Sequence, residues 1–366
     1  MSDVVVPPLI LFTQKPLPHN HNITTNLITT IYLHLLTTLT TLTTPCSKNK
    51  VMSEFTEQNL NRFDKILNSD QVNSFDECGY VVLDDFLGAE WADSLLNECK
   101  QFQSDELLKQ HYFNFGDVKF PKPHVFEADL YDKTLRDMSP PLAYLYDVAT
   151  PKIISALDSL LPDLQLDTGP NSASIKLQFN KGGCFPYHHD NPGRPSKRQL
   201  TVIVYLNPLW QPEDGGELVL WPFLGPKVTI APKMDRVAIF RSDLVLHRVL
   251  KSNKERFCFT IWIDGTATNS DEDSLLTKDK LQFESYDTAA HFFKFSPLQR
   301  VISRAVFADE YEASLQECVG GTIGEKPMIQ YHRANVAAFE SKLRPLITAF
   351  REKKNSINAD TNVSYL

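Results

Sequence analysis

Several things are scarce in this chain of 366 residues, and each shortage narrows what it can do. Positive charge is short: 37 Lys and Arg stand against 45 Asp and Glu, a formal net charge of −8. Phosphate backbones are held by basic surfaces, so this balance argues against nucleic acid as the main partner. The six cysteines (Cys46, Cys78, Cys99, Cys184, Cys258, Cys318) show no paired spacing. They read as reduced thiols of a cytoplasmic or nuclear protein, neither a disulfide framework nor a zinc site. A continuous apolar run of about 20 residues, the length a membrane span needs, is also missing. So is the pair of histidines four apart on a helix around a glutamate that hydrolytic zinc enzymes use.

Residues 1–51 differ from everything after them. They are threonine-rich (residues 37–45 read TTLTTLTTP), contain no Arg within the first fifty, and carry Asp3 as their only acid. They lack the basic start of a secretory signal. The expectation is a disordered leader, with organelle targeting by residues 1–50 as the second reading because acids are so scarce. Met52 opens a stretch that already reads as the start of a domain.

Residues 52–170 read as a supporting region of helices and short strands. Phe55, Leu60, Phe63, Ile66 and Leu67 give a first uneven helical stripe, and Tyr80-Val81-Val82-Leu83 is a β-prone run. Trp91, Leu95, Leu96 and Cys99 share one face of a helix from about 89 to 102. Residues 104–135 are aromatic-rich and broken by Pro121 and Pro123, which predicts irregular structure. A second helical stretch follows at 140–161, kinked or split at Pro151.

Residues 171–265 hold the chemistry. Ser174 to Phe179 reads as a strand, followed by Tyr187-His188-His189-Asp190-Asn191-Pro192. In extended chain, residues i and i+2 point to one face about 6.5 Å apart. His188 and Asp190 therefore converge while His189 points away. Gln199 to Asn207, Glu217 to Trp221, Val228 to Ala231 and Arg236 to Phe240 are further strands. His247 ends another apolar run, and Arg256 begins the strand that continues through Thr260-Ile261-Trp262. Many short strands separated by turns predict a β-sandwich or barrel of jelly-roll type, mainly β with helices outside.

Two histidines and one carboxylate leave three coordination positions open on a metal, the pattern of mononuclear non-haem iron oxygenases. Zinc can bind the same donors. Arg256 adds a permanent cation whose planar fork matches a carboxylate, and Tyr205 a phenol able to hydrogen-bond to it.

These residues resemble the Fe(II)- and 2-oxoglutarate-dependent dioxygenases of the prolyl 4-hydroxylase superfamily, nearest to the hypoxia-factor prolyl hydroxylase type. The resemblance rests on His188-His189-Asp190-Asn191-Pro192, Tyr205-Leu206-Asn207, Asp214-Gly215-Gly216-Glu217-Leu218, Pro232-Lys233-Met234-Asp235-Arg236, His247 and Arg256 through Trp262. It extends more weakly over Gly79 to Leu87. It implies a double-stranded β-helix with Fe(2+) on His188, Asp190 and His247. It also implies 2-oxoglutarate bound by Arg256, Tyr205 and Thr260, and Arg198 bordering a substrate groove. O2 would be the second cosubstrate, and L-ascorbate is a further cofactor the resemblance admits. The implied reaction is hydroxylation of a prolyl residue in a protein or peptide substrate, with release of succinate and CO2. The alternatives are the same chemistry on another residue or a small molecule, or a binding module that senses 2-oxoglutarate or oxygen without turnover. One departure stands out: the hypoxia-type enzymes carry tyrosine where this chain has Gln178.

Residues 266–354 read as a polar linker and a C-terminal helical extension packed on the barrel, with a dimer or partner surface as the second reading, and His291 and His332 as ordinary helix residues. Residues 355–366 are expected to be a disordered tail.

Overall fold

In the computed structural model, the described residues are 60–115, 117–267, 276–277, 279–360 and 362–365. The leader, the first part of the helix expected from residue 53, and residues 268–275 and 278 of the polar linker lie outside them. Helix α1 (Ser69–Cys78) starts on a reciprocal cap: Asn68 accepts from the Gln71 N–H while the Gln71 side chain accepts from the Asn68 N–H. It stops at Gly79, whose φ of 76° is the left-handed conformation glycine adopts without strain. Strand β1 (Tyr80–Leu83), helix α2 (Ala89–Ser104), and strands β2 (Lys109–Phe115) and β3 (Val118–Asp129) follow.

The irregular stretch expected at 104–135 is thus largely a β-hairpin. Pro121 and Pro123 are tolerated because that arm of β3 pairs only with β2; its pairing with the next strand starts at Val125. Helices α3 (Lys133–Met138), α4 (Pro140–Tyr144) and α5 (Thr150–Leu160) complete the supporting region. Between the last two, residues 145–149 widen into a π turn. Pro151, in the first turn of α5, has no N–H to continue the ladder, and Leu145 O accepts both the Thr150 N–H and, at 2.8 Å, the Thr150 hydroxyl.

The core strands are β4 (Ala173–Asn180), β5 (Phe185–His188), β6 (Arg198–Tyr205), β7 (Leu218–Pro222), β8 (Lys227–Ile230), β9 (Val237–Arg241), β10 (Val245–Val249) and β11 (Arg256–Asp264). After them come helices α6 (Tyr286–Phe295), α7 (Gln299–Val306), α8 (Ala308–Val319) and α9 (Glu325–Asp360), then strand β12 (Asn362–Tyr365). The tail is therefore structured: α9 runs past Asn355, and β12 pairs in parallel with β8, Val363 beside Val228. A β-branched residue within a short polar segment was too weak a signal to suggest a strand, and the free edge of β8 supplied the partner.

Two sheets result, ordered β1-β9-β6-β11-β4-β3-β2 and β12-β8-β7-β10-β5. This is a jelly-roll core. Side-chain parity sorts it into three layers. Ile175, Leu177, Phe179, Val202, Val204, Phe257, Phe259 and Ile261 leave the large sheet outward and pack on the N-terminal helices. Tyr205, Cys258, Leu218, Leu220, Val245 and Val249 point between the sheets. Val219, Trp221 and Leu246 leave the small sheet outward and bury against Phe293, Val301, Ile302 and Phe307 of the C-terminal helices. Those helices are thus packed on the barrel, as expected.

Two segments distant in sequence are locked together at the start of the fold. The Leu87 and Gly88 N–H groups donate to the Asp235 carboxylate at 2.7 and 2.8 Å, and Arg236 forks onto Asp84 at 2.6 and 3.1 Å. Bidentate pairing of this kind is strongly oriented.

The disposition of cysteines differs from the expectation. Cys184 and Cys318 form a disulfide across 134 residues of sequence, with Cα atoms 5.4 Å apart, while Cys78, Cys99 and Cys258 are free. Spacing along the chain could not show this pairing, because the two residues meet only when α8 docks on β5.

Candidate active site

Three side chains expected to meet do so. His188 ends β5, Asp190 lies two residues on, and His247 sits on β10 directly opposite His188. One ligand atom from each falls within 4.8 Å of the others. The His188 Nε2 lies 3.5 Å from one Asp190 oxygen, and the His247 Nε2 lies 3.5 Å from the other. Each imidazole turns its Nδ1 to the backbone carbonyl two residues upstream, Pro186 at 2.8 Å and Val245 at 3.2 Å. A hydrogen on Nδ1 leaves the Nε2 lone pair facing the cluster, the tautomer a metal needs.

The electrostatics favour the same state. Burial, with His188 alongside, pulls His247 down to about 4, so its neutral form prevails near pH 7. Burial alone would raise the Asp190 carboxyl, but the two histidines outweigh it and hold it well below the usual carboxylate range. The Thr201 hydroxyl donates at 2.7 Å to the Asp190 oxygen that also faces His247. His189 stays outside the group, its Nε2 buried without a hydrogen-bond partner.

Arg256, Cys258, Thr260 and Trp262 alternate along β11 with residues of the outer core, so they share its inner face. Arg256 is 3% exposed, and its guanidinium lies over the Tyr205 ring at 5.1 Å. Its Nε donates to Gly216 O at 2.8 Å. Gly216 is required there: a Cβ would meet the Arg256 Cδ at 2.8 Å, and its φ of 80° is left-handed. That is the structural reason for the Asp214-Gly215-Gly216 turn. The Arg256 Nη2 and the Tyr205 hydroxyl are both buried without a hydrogen-bond partner. Such donors are costly unless a ligand completes them, and a carboxylate would accept from both. Burial, only partly offset by Arg256, raises the Tyr205 phenol above its ordinary value, so it remains a donor.

A cavity of about 60 Å³ joins the triad to Gln178, Arg198, Thr260 and Trp262, and to His111 and Lys122 of the β2–β3 hairpin. Gln178, the departure noted in the sequence, accepts from the Thr260 hydroxyl at 3.0 Å. Arg198 is spread over the Trp262 ring at 4.5 Å. Sequence reading missed Thr201, whose position on the same β6 face as Tyr205 was the available signal. It also missed His111 and Lys122, because the hairpin that delivers them read as loop.

The C-terminal helices reach this site from behind. The Tyr187 N–H donates to the Ser314 hydroxyl at 3.1 Å, Arg300 donates to Asn191 Oδ1 at 3.3 Å, and the Cys184–Cys318 disulfide sits four residues before His188. Arg248 on β10 also pairs with Glu317 of α8. The segment bearing His188 and Asp190 is thus clamped at both ends.

Residues 175–264 match the family described as the 2OG-Fe(II) oxygenase superfamily. A crystal structure of prolyl 4-hydroxylases from Phytophthora capsici is 36% identical, covering 81% of this chain and 95% of that one, with a TM-score of 0.69. A hypoxia-inducible factor prolyl hydroxylase from Caenorhabditis elegans is 28% identical over 227 residues, which span 57% of this chain but only 29% of the relative. A Trichoplax adhaerens prolyl hydroxylase, solved with a hypoxia inducible factor peptide fragment, is 22% identical over 57% of this chain and 91% of that one, with a TM-score of 0.47. The chain belongs to the 2OG-Fe(II) oxygenase superfamily. Within that class it is a prolyl hydroxylase-like member, and the cofactors of the class are Fe(2+), 2-oxoglutarate and O2. Among the described residues no helix is long and apolar enough to cross a membrane.

Proposed function

We propose that this protein is an Fe(II)- and 2-oxoglutarate-dependent dioxygenase that hydroxylates a prolyl residue in a protein or peptide, releasing succinate and CO2. The observation that carries the reading is the pairing of two incomplete sites between the same sheets. One is a His188, Asp190 and His247 donor set within 4.8 Å; the other is a pair of buried donors, on Arg256 and Tyr205, still lacking an acceptor. The donor set fits ferrous iron, and the second pair fits the far carboxylate of 2-oxoglutarate.

In this reading His188, Asp190 and His247 hold the metal, and Thr201 holds Asp190. Iron with 2-oxoglutarate supplies the oxidising power for C–H hydroxylation when bound. The chain's own residues do the rest. Arg256 and Tyr205 orient the cosubstrate, and the apolar wall keeps water from the reacting centre. No general base is needed, and none is assigned.

The similarity to the Phytophthora capsici enzymes over most of both chains supports a prolyl acceptor over another residue or a small molecule. The complete donor set supports turnover over mere sensing. The experiment is incubation of the full chain with Fe(II), 2-oxoglutarate, ascorbate and proline-containing peptides, reading succinate and peptide mass together. Succinate with one added oxygen on proline is the expected result. Oxygen on another residue would overturn the choice of acceptor, and no succinate under any condition would overturn the enzyme reading.

A further inference from the structure

Cys258 stands at the centre of the polar wall that Arg256 and Tyr205 share. Along β11 its neighbours on the inner face are Arg256 and Thr260, two residues to either side. Across the sheet it lies in register between Gln178 of β4 and Tyr205 of β6. It is 1% exposed. Cys99, another free thiol, packs in the outer apolar core, whereas Cys258 meets polar side chains in all four of these directions.

Three hydrogen bonds connect it to them. The Arg256 Nη1 donates to the Cys258 Sγ at 3.3 Å, the Cys258 thiol donates to Gln178 Oε1 at 3.7 Å, and the Thr260 hydroxyl donates to the same Oε1. Sulfur is a weak acceptor, but a thiol whose hydrogen is turned to Gln178 presents its lone pairs to the guanidinium. The Arg256 Nε is meanwhile held by Gly216 O. Two anchored nitrogens fix the plane of a guanidinium, and with Nε and Nη1 both engaged, Nη2 is left buried without a partner.

We propose that Cys258 is a positioning residue for the cosubstrate: its sulfur fixes the Arg256 guanidinium so that Nη2 faces the far carboxylate of 2-oxoglutarate. The assignment rests on the cosubstrate reading above. Without the sulfur, Nη1 loses its acceptor in a buried setting, where an unpaired donor is costly, and the guanidinium is held at Nε alone. A fork aimed in advance loses less order when its ligand arrives. The effect falls on the end of the cosubstrate that Arg256 touches and spares the end that chelates the metal.

The test uses the full chain with Fe(II) under nitrogen, where binding is read by calorimetry without turnover. Two oxo acids are compared: 2-oxoglutarate, and 2-oxovalerate, which has the same carbon chain with a methyl group in place of the far carboxylate. The wild type is expected to prefer 2-oxoglutarate by about tenfold or more, the scale of one charge-assisted hydrogen bond. Cys258→Ala should cut that preference about three- to tenfold, the scale of one lost hydrogen bond. Its affinity for 2-oxovalerate and its bound iron should stay within about twofold of the wild type. Cys258→Ser, whose hydroxyl can accept from Arg256 and donate to Gln178, should restore most of the preference. A preference that survives in Cys258→Ala overturns the proposal. Equal weakening of both acids also overturns it, since that is the mark of a packing role. So does a Cys258→Ser variant no better than Cys258→Ala. A wild type that does not distinguish the two acids overturns the cosubstrate reading of Arg256, and the Cys258 assignment falls with it.

Discussion

His188 and His247 are antiparallel partners on neighbouring strands, with ring centroids 4.2 Å apart and one carboxylate between them. Two imidazoles so close cannot both carry a proton cheaply, and Asp190 can satisfy neither as fully as a divalent cation would. The arrangement is built for neutral nitrogen donors. Everything else at the site either aims these groups or prepares the space in front of them.

Thr201 is the first group behind the triad to test. Its hydroxyl, fully buried, fixes one Asp190 oxygen at 2.7 Å and also meets Ser242 at 2.8 Å. Thr201→Val keeps the shape and removes the bond. It should weaken ferrous affinity about 10–100-fold, the usual scale for partners of metal ligands, with little change in the unfolding midpoint. Equilibrium metal titration alongside thermal unfolding checks it; unchanged affinity would show that Thr201 is only packing.

Arg256→Ala removes the guanidinium that Gly216 makes room for. The apparent 2-oxoglutarate requirement should rise about 10–100-fold, from the loss of about 1.5–3 kcal/mol of charged hydrogen bonding. Tyr205→Phe should show a smaller rise of the same kind. Steady-state kinetics against 2-oxoglutarate, with bound iron measured in parallel, separates this from damage to the metal site. A fall in iron with an unchanged cosubstrate requirement would reassign Arg256.

How much of this was readable beforehand follows from where each signal lives. The parity of His188 and Asp190 is a local property of extended chain, so it survives in sequence and selects them over His189. Arg256, Thr260 and Tyr205 lie on strongly β-prone strands whose alternation is equally local. Lys122 and His111 were not legible, because Pro121 and Pro123 made β3, and with it the hairpin it forms with the β2 strand of His111, look like loop; the prolines are tolerated only because that arm of β3 has a strand on one side alone. The Cys184–Cys318 bond and β12 were missed for a related reason: both depend on which surfaces meet after folding, across 134 residues in one case and along a free strand edge in the other.

A prediction on pH concerns His332, away from the site. Its Nε2 lies 2.9 Å from Ala308 O, and burial, aided by Arg304, lowers it to about 4. Unfolded histidine takes a proton near pH 6.5, whereas this one stays neutral until about pH 4. Between those values the unfolded state binds more protons, so stability is fully present above pH 6.5 and declines as pH falls toward 4. Thermal melts across that window should show a steeper loss for the wild type than for His332→Gln. Parallel curves would mean His332 does not contribute.

The disulfide offers a stability prediction. Joining residues 134 apart constrains the unfolded chain, and loss of such a bond typically costs about 2–4 kcal/mol. Cys318→Ser should lower the unfolding free energy by that order and the denaturant midpoint with it, and a reductant should lower the wild-type midpoint to match. Equal midpoints with and without reductant would show that the bond does not form in solution.

The most direct test of the whole account is ferrous ion bound per chain, measured under nitrogen. Wild type should bind one equivalent. His188→Ala, Asp190→Ala and His247→Ala should lose it, each by more than about a hundredfold in affinity, since partners behind ligands alone are worth about 10–100-fold. His189→Ala should keep it. A wild type that binds no iron, or equal loss in all four variants, would contradict the claim that these three side chains form the centre.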